Sequence, residues 1–598
     1  MRRHVPLWLK GLVSAVIAAH LLLIAAAILN VARDIPSADE WTKRMNASVA
    51  IKTAQGKLAL ADLFASYNSH RSPFTLSLTA LNTAIFHYDP RFEMLITAVL
   101  LAANFGLLAQ IVHRQLGPKT PRLFWLSLIP LAGMVFTGRW LVGWLWGLVN
   151  LWQLGILFTL IGILTADRMQ LGWRLAMLLA LLCTLASFSN SAGVLAFGVV
   201  GLIWWLRGER HLLRLAFFVS VAVFCFTVIF LVDQHNPMQV TLDPFLNAYF
   251  TALYLGAVQL SPPALRYNVL PVFSEGVAVS LFGVGCLFTA INLRYLLRRM
   301  PLTRVALSAG LVLWGMGFAL VTSIGRYQEY AEAALHIDYH TPMVMLLWIG
   351  AFMLSLLVIQ TARGMLRTVN QLFILWILGM QTVFTLFALA YIALPPLRID
   401  QHIIQLRECA LTVLIGNNVG CGALRAEEAY ENALGLAANR LASFRAASEQ
   451  PVPLMLHFLP VLYPSTHFIE DEENVRILML DGQAQYVLFQ GTERLLQSPA
   501  LPDLPDYRFT LRGALMAQPA CAEQSIKARL IVDDGQTQRI AIERVATTDL
   551  VPFSLDLTEL RGRSFSLLYE LDISEPLTCG HILWADPRIE FSLPPQAQ

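Results

Sequence analysis

Two neighbouring carboxylates, Asp39 and Glu40, follow the first apolar run of the chain in the stretch Arg-Asp-Ile-Pro-Ser-Ala-Asp-Glu-Trp over 33–41. A carboxylate at such a place could take the proton from an attacking hydroxyl, and the pair could share a divalent cation. Acids in a first helical turn also favour the helix dipole, and Ser37 before them reads as a helix start, so a capping role stands beside the catalytic one. A second cluster, Tyr67-Asn68-Ser69-His70-Arg71-Ser72-Pro73, offers Asn68, His70 and Arg71 as donors for a phosphate or a sugar. A polar turn between two helices accounts for the same residues equally well. Arg139, Arg266 and Arg326 stand beside apolar runs, where a guanidinium can fork onto a phosphate or snorkel to headgroups. Arg326 is the best placed, with Tyr327 and Tyr339 in the same loop. Trp140, Trp144, Trp146 and Trp152 form an aromatic group, whose first meaning is interfacial anchoring and whose second is a surface for sugars.

Other chemistry is missing. The sequence holds no P-loop, no G-x-S-x-G elbow and no H-E-x-x-H. Its apolar runs carry almost no charge, which counts against a pump or a secondary transporter. No basic stripe argues for nucleic acid.

The elements that must hold these clusters are mostly membrane helices. Hydrophobic residues make up 56% of the chain and charged ones 14%, against about 25% charged in soluble domains. A helical span takes about 20 apolar residues. Eleven segments qualify: 7–31, 92–113, 123–138, 149–166, 175–190, 191–206, 212–232, 275–293, 305–325, 342–362 and 371–395. The third to sixth are short. With the N-terminus inside, the inner turns gather basic residues such as Arg114, Lys119, Arg168, Arg207, Arg298 and Arg363 against only two acids, Asp167 and Glu209. By the positive-inside rule the first loop, 32–91, and the C-terminal third then lie outside. In the first loop, apolar residues recur at helical spacing through Leu58–Phe64 and Phe74–Ile85, which predicts two amphipathic interfacial helices. An aromatic-rich helix is expected over Pro244–Leu260.

Past Pro395-Pro396 the composition becomes that of an ordinary soluble domain. Leu424–Ala447 reads helical. Strand patterns follow at 475–480, 485–490, 507–517, 526–533, 538–545, 552–557, 564–571 and 587–592, which together predict a β-sandwich. The domains are therefore a transmembrane domain 1–395, a linker and helical segment 396–450 and a β-sandwich 451–598. Cys409, Cys421, Cys521 and Cys579 all fall in this C-terminal part. An even number in an oxidising compartment suggests disulfides, and 409–421 with 521–579 is the preferred pairing of three.

The layout resembles the polytopic GT-C glycosyltransferases. The residues that carry the likeness are Asp39-Glu40 after the first span and Tyr67-Asn68-Ser69-His70-Arg71, similar to the N-E-H-R box of a bacterial subgroup. Trp144-Leu145-Trp146-Gly147, Ser187-Phe188-Ser189-Asn190 and the loop 326–342 add to it. Ser69 departs from the box, which usually has Glu, and Asp338-Tyr339 stands where Arg-Tyr is expected. The C-terminal Leu560–Ile589 resembles carbohydrate-binding jelly rolls, through its Leu-Arg-Gly-Arg-Ser-Phe-Ser-Leu-Leu-Tyr run and Trp584-Ala585-Asp586-Pro587-Arg588-Ile589.

The resemblance implies a membrane glycosyltransferase of the inner membrane, moving a sugar from a polyprenyl-phosphate donor to a glycan, lipid or protein acceptor on the extracytoplasmic face. It implies Asp39 as general base, with Glu40 assisting or sharing a cation. Asn68, His70, Arg71, Arg326 and Tyr339 would bind the donor. The competing reading is a non-enzymatic surface-polymer assembly or transport protein with an external glycan-binding domain.

Overall fold

The computed structural model describes residues 5–30, 32, 36, 38–67, 70–117, 120–232, 240–260, 271–330 and 340–393. In the C-terminal third it describes 432, 436, 439, 441–442, 454–457, 475–480, 483–490, 495–497, 508–521, 526–560, 563, 565–573 and 581–592. Sixteen helices follow one another in these residues: α1 (Leu7–Asn30), α2 (Asn46–Ala54), α3 (Leu60–Leu63), α4 (Pro73–Phe86), α5 (Pro90–Leu116), α6 (Pro121–Val135), α7 (Leu141–Trp144) and α8 (Asn150–Arg168). The series continues with α9 (Trp173–Ser187), α10 (Leu195–Leu206), α11 (Leu212–Phe230), α12 (Pro244–Ala257), α13 (Pro271–Leu297), α14 (Leu302–Tyr330), α15 (Thr341–Thr361) and α16 (Met365–Ala393).

The chain is a multi-pass membrane protein. Among the described residues, 9 helical segments are long and apolar enough to cross a bilayer. They correspond to nine of the eleven expected segments. The other two, α9 with 15 residues and Ser191–Leu206, are helical but shorter than the about 20 residues of a straight span. Lipid tails offer no hydrophobic gain to helix pairing, so close contact and buried polar pairs must hold the bundle. Gly350 of α15 shows the first device: a Cβ there would lie 2.7 Å from the Ser308 carbonyl oxygen of α14. Asn292 and Asn370 show the second, trading amide hydrogen bonds of 2.8 and 3.1 Å between α13 and α16.

The basic turns also have a task at the helix ends. Arg207 donates to the carbonyls of Ala166 (2.6 Å) and Met169 (3.1 Å), and Arg304 donates to Gln115 (2.8 Å). These carbonyls end α8 and α5, where a helix lacks its own donors and favours positive charge. Both acids of this face are paired, Asp167 with Arg114 and Glu209 with Arg214.

The chain divides into two compact units. One comprises Met1–Ala32, Ala59–Leu78 and Arg91–Ile392, and the other Arg33–Leu58, Thr79–Pro90 and Ala393–Gln598. The helix expected over Leu58–Phe64 is reduced to the single turn α3, and a separate helix, α2, precedes it. Gly56, at φ +67, closes α2 in a left-handed conformation that only glycine adopts at little cost. The second expected helix is α4; it exposes Leu81, Ile85 and Phe86 and buries Thr79, Asn82 and Thr83.

The C-terminal part is an antiparallel β structure of two sheets. Its strands are β1 (Leu454–His457), β2 (Val475–Leu480), β3 (Gln483–Gln490), β4 (Leu495–Gln497), β5 (Arg508–Ala517), β6 (Lys527–Asp533), β7 (Gln538–Val545), β8 (Val551–Asp556), β9 (Ser566–Asp572) and β10 (Ile582–Ser592). One sheet runs β2-β3-β10-β5-β8 with β1 on the far end of β10, and the other β4-β9-β6-β7. Trp584 joins them: fully buried, it donates to Gln490 Oε1 at 2.9 Å and meets the Tyr569 ring at 5.1 Å, while Gln490 Nε2 donates to the Tyr569 carbonyl. Asp586-Pro587 forms a bulge between Ala585 and Arg588, as expected where proline removes a ladder donor. The expected helix Leu424–Ala447 lies almost wholly outside the described residues, as do Cys409, Cys421 and Cys579. Cys521 is buried and disulfide-bonded; its partner is outside the described residues.

Candidate functional site

His70 and His340 flank a single indole. The His70 ring meets Trp152 edge-on at 5.8 Å and the His340 ring meets it at 4.7 Å. Phe318 completes the aromatic box, 5.7 Å from Trp152 and 5.2 Å from His340. Each imidazole has its own hydroxyl. Ser191 Oγ lies 2.7 Å from His70 Nδ1, and the Tyr254 hydroxyl hydrogen-bonds His340 Nδ1. The Ser191 N–H also donates to His70 Nδ1 at 3.4 Å, which makes Nδ1 an acceptor and leaves the proton of the neutral ring on Nε2.

Helix ends place these groups. His70 pairs with Tyr67 through main-chain bonds of 2.9 and 2.7 Å that close the turn before α4. Ser191 opens a 3-10 turn, Ser191–Val194, capped by Asn190, whose side chain accepts from Ala192 at 2.9 Å. The motif Ser187-Phe188-Ser189-Asn190 thus builds a tight exit from α9, with Ser187 and Ser189 bonded back to the carbonyls of Cys183 and Leu185. Gly193 is essential to that exit, because a Cβ would sit 2.1 Å from the Ala186 carbonyl oxygen. His340 is the residue before α15, and Tyr254 lies on α12. All these residues belong to connections or ends opposite the basic turns.

Arg326 supplies the charge. It lies two turns beyond Phe318 on α14, beside Tyr327, which packs on Phe250 at 6.1 Å. Burial, followed by the Arg326 charge, pushes the His70 pKa down to about 3, although the ring keeps part of its surface open. His340 is lowered in the same direction by burial, then by His70 and Arg326. Both rings are neutral at physiological pH. Two buried polar atoms beside them have no hydrogen-bond partner: Asn190 Nδ2 and Thr341 Oγ1. A buried donor left unpaired costs free energy, and these two are in a position to bond a ligand at the cluster.

The sequence candidates are distributed as follows. His70 and Arg326 act on one another in this cluster. Arg71 is buried and donates to three main-chain carbonyls: Val228 from Nε (3.0 Å), Phe64 from Nη1 (2.6 Å) and Val232 from Nη2. It is thereby a clamp between the turn after α3 and the end of α11. Asp39 and Glu40 form part of the 3-10 helix Ala38–Trp41 in the other unit. Consecutive residues of such a helix leave it about 120° apart; accordingly Glu40 is fully buried and Asp39 half-buried. Asn68 and Tyr339 lie outside the described residues, with Ser69, Arg266 and Asp338. Among the described residues no three His, Cys, Asp or Glu side chains gather as a metal set.

Of the four tryptophans Trp146 is partly exposed, and the other three are enclosed by protein rather than set in an interfacial belt. Trp140 and Trp144 are fully buried and Trp152 is 5% exposed, so they are packing residues and, for Trp152, part of the site. His340, Tyr254, Ser191 and Thr341 had no place among the sequence candidates. The usable signal was His340-Thr341-Pro342 at the opening of an uncharged apolar run, where Pro marks a first helical turn.

No protein-family model matches the sequence, and no curated protein does. Among solved structures, the chain is similar to ArnT from Cupriavidus metallidurans bound to undecaprenyl phosphate, at 14% identity and a TM-score of 0.37, over 79% of this chain and 97% of that one. It is also similar to the archaeal oligosaccharyltransferase AglB from Archaeoglobus fulgidus, in complex with an inhibitory peptide and a dolichol-phosphate, at 14% identity and a TM-score of 0.37 over 65% of this chain. The chain spans 56% of that protein's length.

Proposed function

We propose that the protein is a membrane glycosyltransferase that moves a sugar from a polyprenyl-phosphate donor to an acceptor on the extracytoplasmic face. The observation that carries the reading is the cluster of His70, His340, Trp152 and Arg326 with buried, unsatisfied donors, at the helix ends opposite the basic turns. A positive charge and hydrogen-bond donors in a low-dielectric place suit a lipid phosphate as it departs with the bonding electrons. His70, Arg326, Asn68 and Tyr339 are proposed as donor-binding residues, and Arg71 as the clamp that positions His70.

Asp39 is proposed as the general base, because its half-buried carboxylate can accept a proton whereas the buried Glu40 serves it as support. Two carboxylates suit a divalent cation of the kind that takes one or two protein acids and completes its shell with phosphate oxygens and water. Such a cation would supply charge neutralisation of the phosphate. The disulfides 409–421 and 521–579 belong to the same proposal.

Membranes carrying the protein, supplied with a polyprenyl-phosphate sugar, test it. Wild type should transfer the sugar, and Asp39→Asn should abolish transfer with insertion intact. Full activity in Asp39→Asn removes the base assignment. A wild type that transfers from no donor favours the non-enzymatic assembly protein.

A further inference from the structure

We propose that α13 and α16, at the ends that meet the basic turns, form a binding site for an anionic phospholipid, with its phosphate held by Arg299, Arg363 and Arg367. The inference rests on the membrane bundle alone and stands whether or not the protein transfers a sugar.

Several arginines of this face are already engaged within the fold. Arg114 pairs with Asp167, Arg214 with Glu209, and Arg207 and Arg304 donate to carbonyls that end helices. Arg210 lies over the Trp205 ring at 4.5 Å and donates to the Glu209 carbonyl at 2.7 Å. The adjoining ends of α13 and α16 differ. Arg294, Arg298, Arg299, Arg363 and Arg367 are all exposed, and among the described residues none of their guanidinium groups meets a carboxylate or a carbonyl oxygen. Arg299 covers the Tyr295 ring at 5.8 Å and nothing polar. No acid stands nearby in sequence to neutralise them: the chain has no Asp or Glu between Glu275 and Glu329, or between Asp338 and Asp400.

Helix register gathers three of these arginines at one mouth. Asn292 of α13 and Asn370 of α16 bond one another, and Phe288 and Phe373 pack beside them with ring centroids 4.4 Å apart. Ser355 of α15 lies behind the pair, 3.5 Å from the Asn292 amide. At about 100° per residue, Arg299 leaves its helix about 20° from Asn292 and two turns nearer the basic face. Arg367 leaves α16 about 60° from Asn370 and one turn nearer the same face. Arg363 stands in the connection just before α16, next to Gly364 at φ +62. Below the mouth both helices turn to lipid: protein encloses only 17% of the α13 span and 22% of the α16 span, and Leu287, Ile291, Val369, Leu372 and Leu375 are exposed.

Membrane orientation asks for basic residues on one side, but not for guanidinium groups set across two bonded helices. Like charges so placed repel one another unless an anion lies between them. A phosphate offers oxygens onto which a guanidinium can fork. The exposed apolar flanks are where the acyl chains of the same molecule would lie, which is why the occupant is assigned as a lipid and not as a free anion. Binding is non-covalent and moves no proton.

The test is native mass spectrometry of the full chain released from nanodiscs of phosphatidylcholine and phosphatidylglycerol in equal parts, counting the lipid that stays bound. Wild type should retain phosphatidylglycerol in clear excess. Arg299→Gln and Arg367→Gln should each cut that excess about fivefold. Arg122→Gln, at the start of α6, should leave it unchanged, and added inorganic phosphate should not displace the bound lipid. Wild type that retains the two lipids in equal amounts overturns the inference. So does an equal loss in Arg122→Gln, which would mark a diffuse field of the whole face, or displacement by inorganic phosphate, which would mark a simple anion site. Should the variants fail to fold, the wild-type ratio with and without inorganic phosphate decides alone.

Discussion

Removing the Arg71 side chain should loosen the end of α11 before it weakens any ligand contact. Its guanidinium holds the carbonyls of Val228, Val232 and Phe64, groups that lie in the last turn of α11, just past it and just past α3. Hydrogen bonds from a charged donor are worth about 1.5–3 kcal/mol each, but losses at neighbouring sites do not add. Carbonyls at a helix end can also tilt towards water or headgroups, so Arg71→Ala should cost about 3 kcal/mol in all. In a unit of this size that corresponds to a fall in apparent Tm of about 3–6 °C. Arg71→Lys should recover about a third, since one ammonium cannot span three acceptors on different segments. The assay is thermal unfolding in detergent, read beside binding of a prenyl phosphate. Arg71→Ala with unchanged Tm and abolished binding would falsify the clamp argument and return Arg71 to direct phosphate contact.

Acid should destabilise the protein through its buried histidines. The folded-state pKa of His70 is about 3 against an ordinary value of 6.5, so the unfolded chain binds more protons below pH 6.5 and stability falls from there downwards. Between pH 7.5 and 5 the loss should be about 1–2 kcal/mol from His70, and His70→Gln should flatten the pH dependence of Tm by that amount. An equal acid loss in the variant would refute the assignment. Gly193→Ala should cost about 1–3 kcal/mol and weaken donor binding, because its Cβ would meet the Ala186 carbonyl and move Ser191 off His70. Gly198→Ala, with nothing within 4 Å, should be neutral or slightly stabilising in the same assays. A reporter fused after Gln598 should be active only outside the cytoplasm, since the basic turns set the inner face and both counts among the described residues, nine spans without the short pair and eleven with it, are odd. A cytoplasmic signal would overturn that topology.

Strands were legible because alternation leaves so few alternatives: 475–480 and 538–545 match β2 and β7 at both ends. The strands β1 and β4, with 4 and 3 residues, are too short for alternation to register. Spans were legible as apolar length, but their surroundings were not. Trp140 and Trp144 read as interface anchors, yet they are buried, because a tryptophan beside a span has the same neighbours in sequence whether it faces headgroups or another helix. Of the site, His70 was visible from its polar turn. Two of the three clamp partners of Arg71 lie 157 and 161 residues away, and no local pattern encodes such a distance. His340 was missed for the same reason: its partners Tyr254 and Trp152 belong to other helices.

α11 and α15 are equally apolar, yet 17% of one and 89% of the other is enclosed by protein. Insertion machinery that weighs only apolarity would treat them alike, while selection on the finished molecule would not. Along the exposed face of α11, away from the buried Phe218, Cys225 and Ile229, an apolar side chain has no fixed neighbour to fit, so Leu, Val, Phe and Ile should exchange freely there through evolutionary drift. Along α15 each replacement must fill a fixed shape between neighbours such as Ser308 and Val312. The two helices should therefore record different clocks, one free to wander among hydrophobic residues and the other nearly still, with no difference in chemistry to announce it.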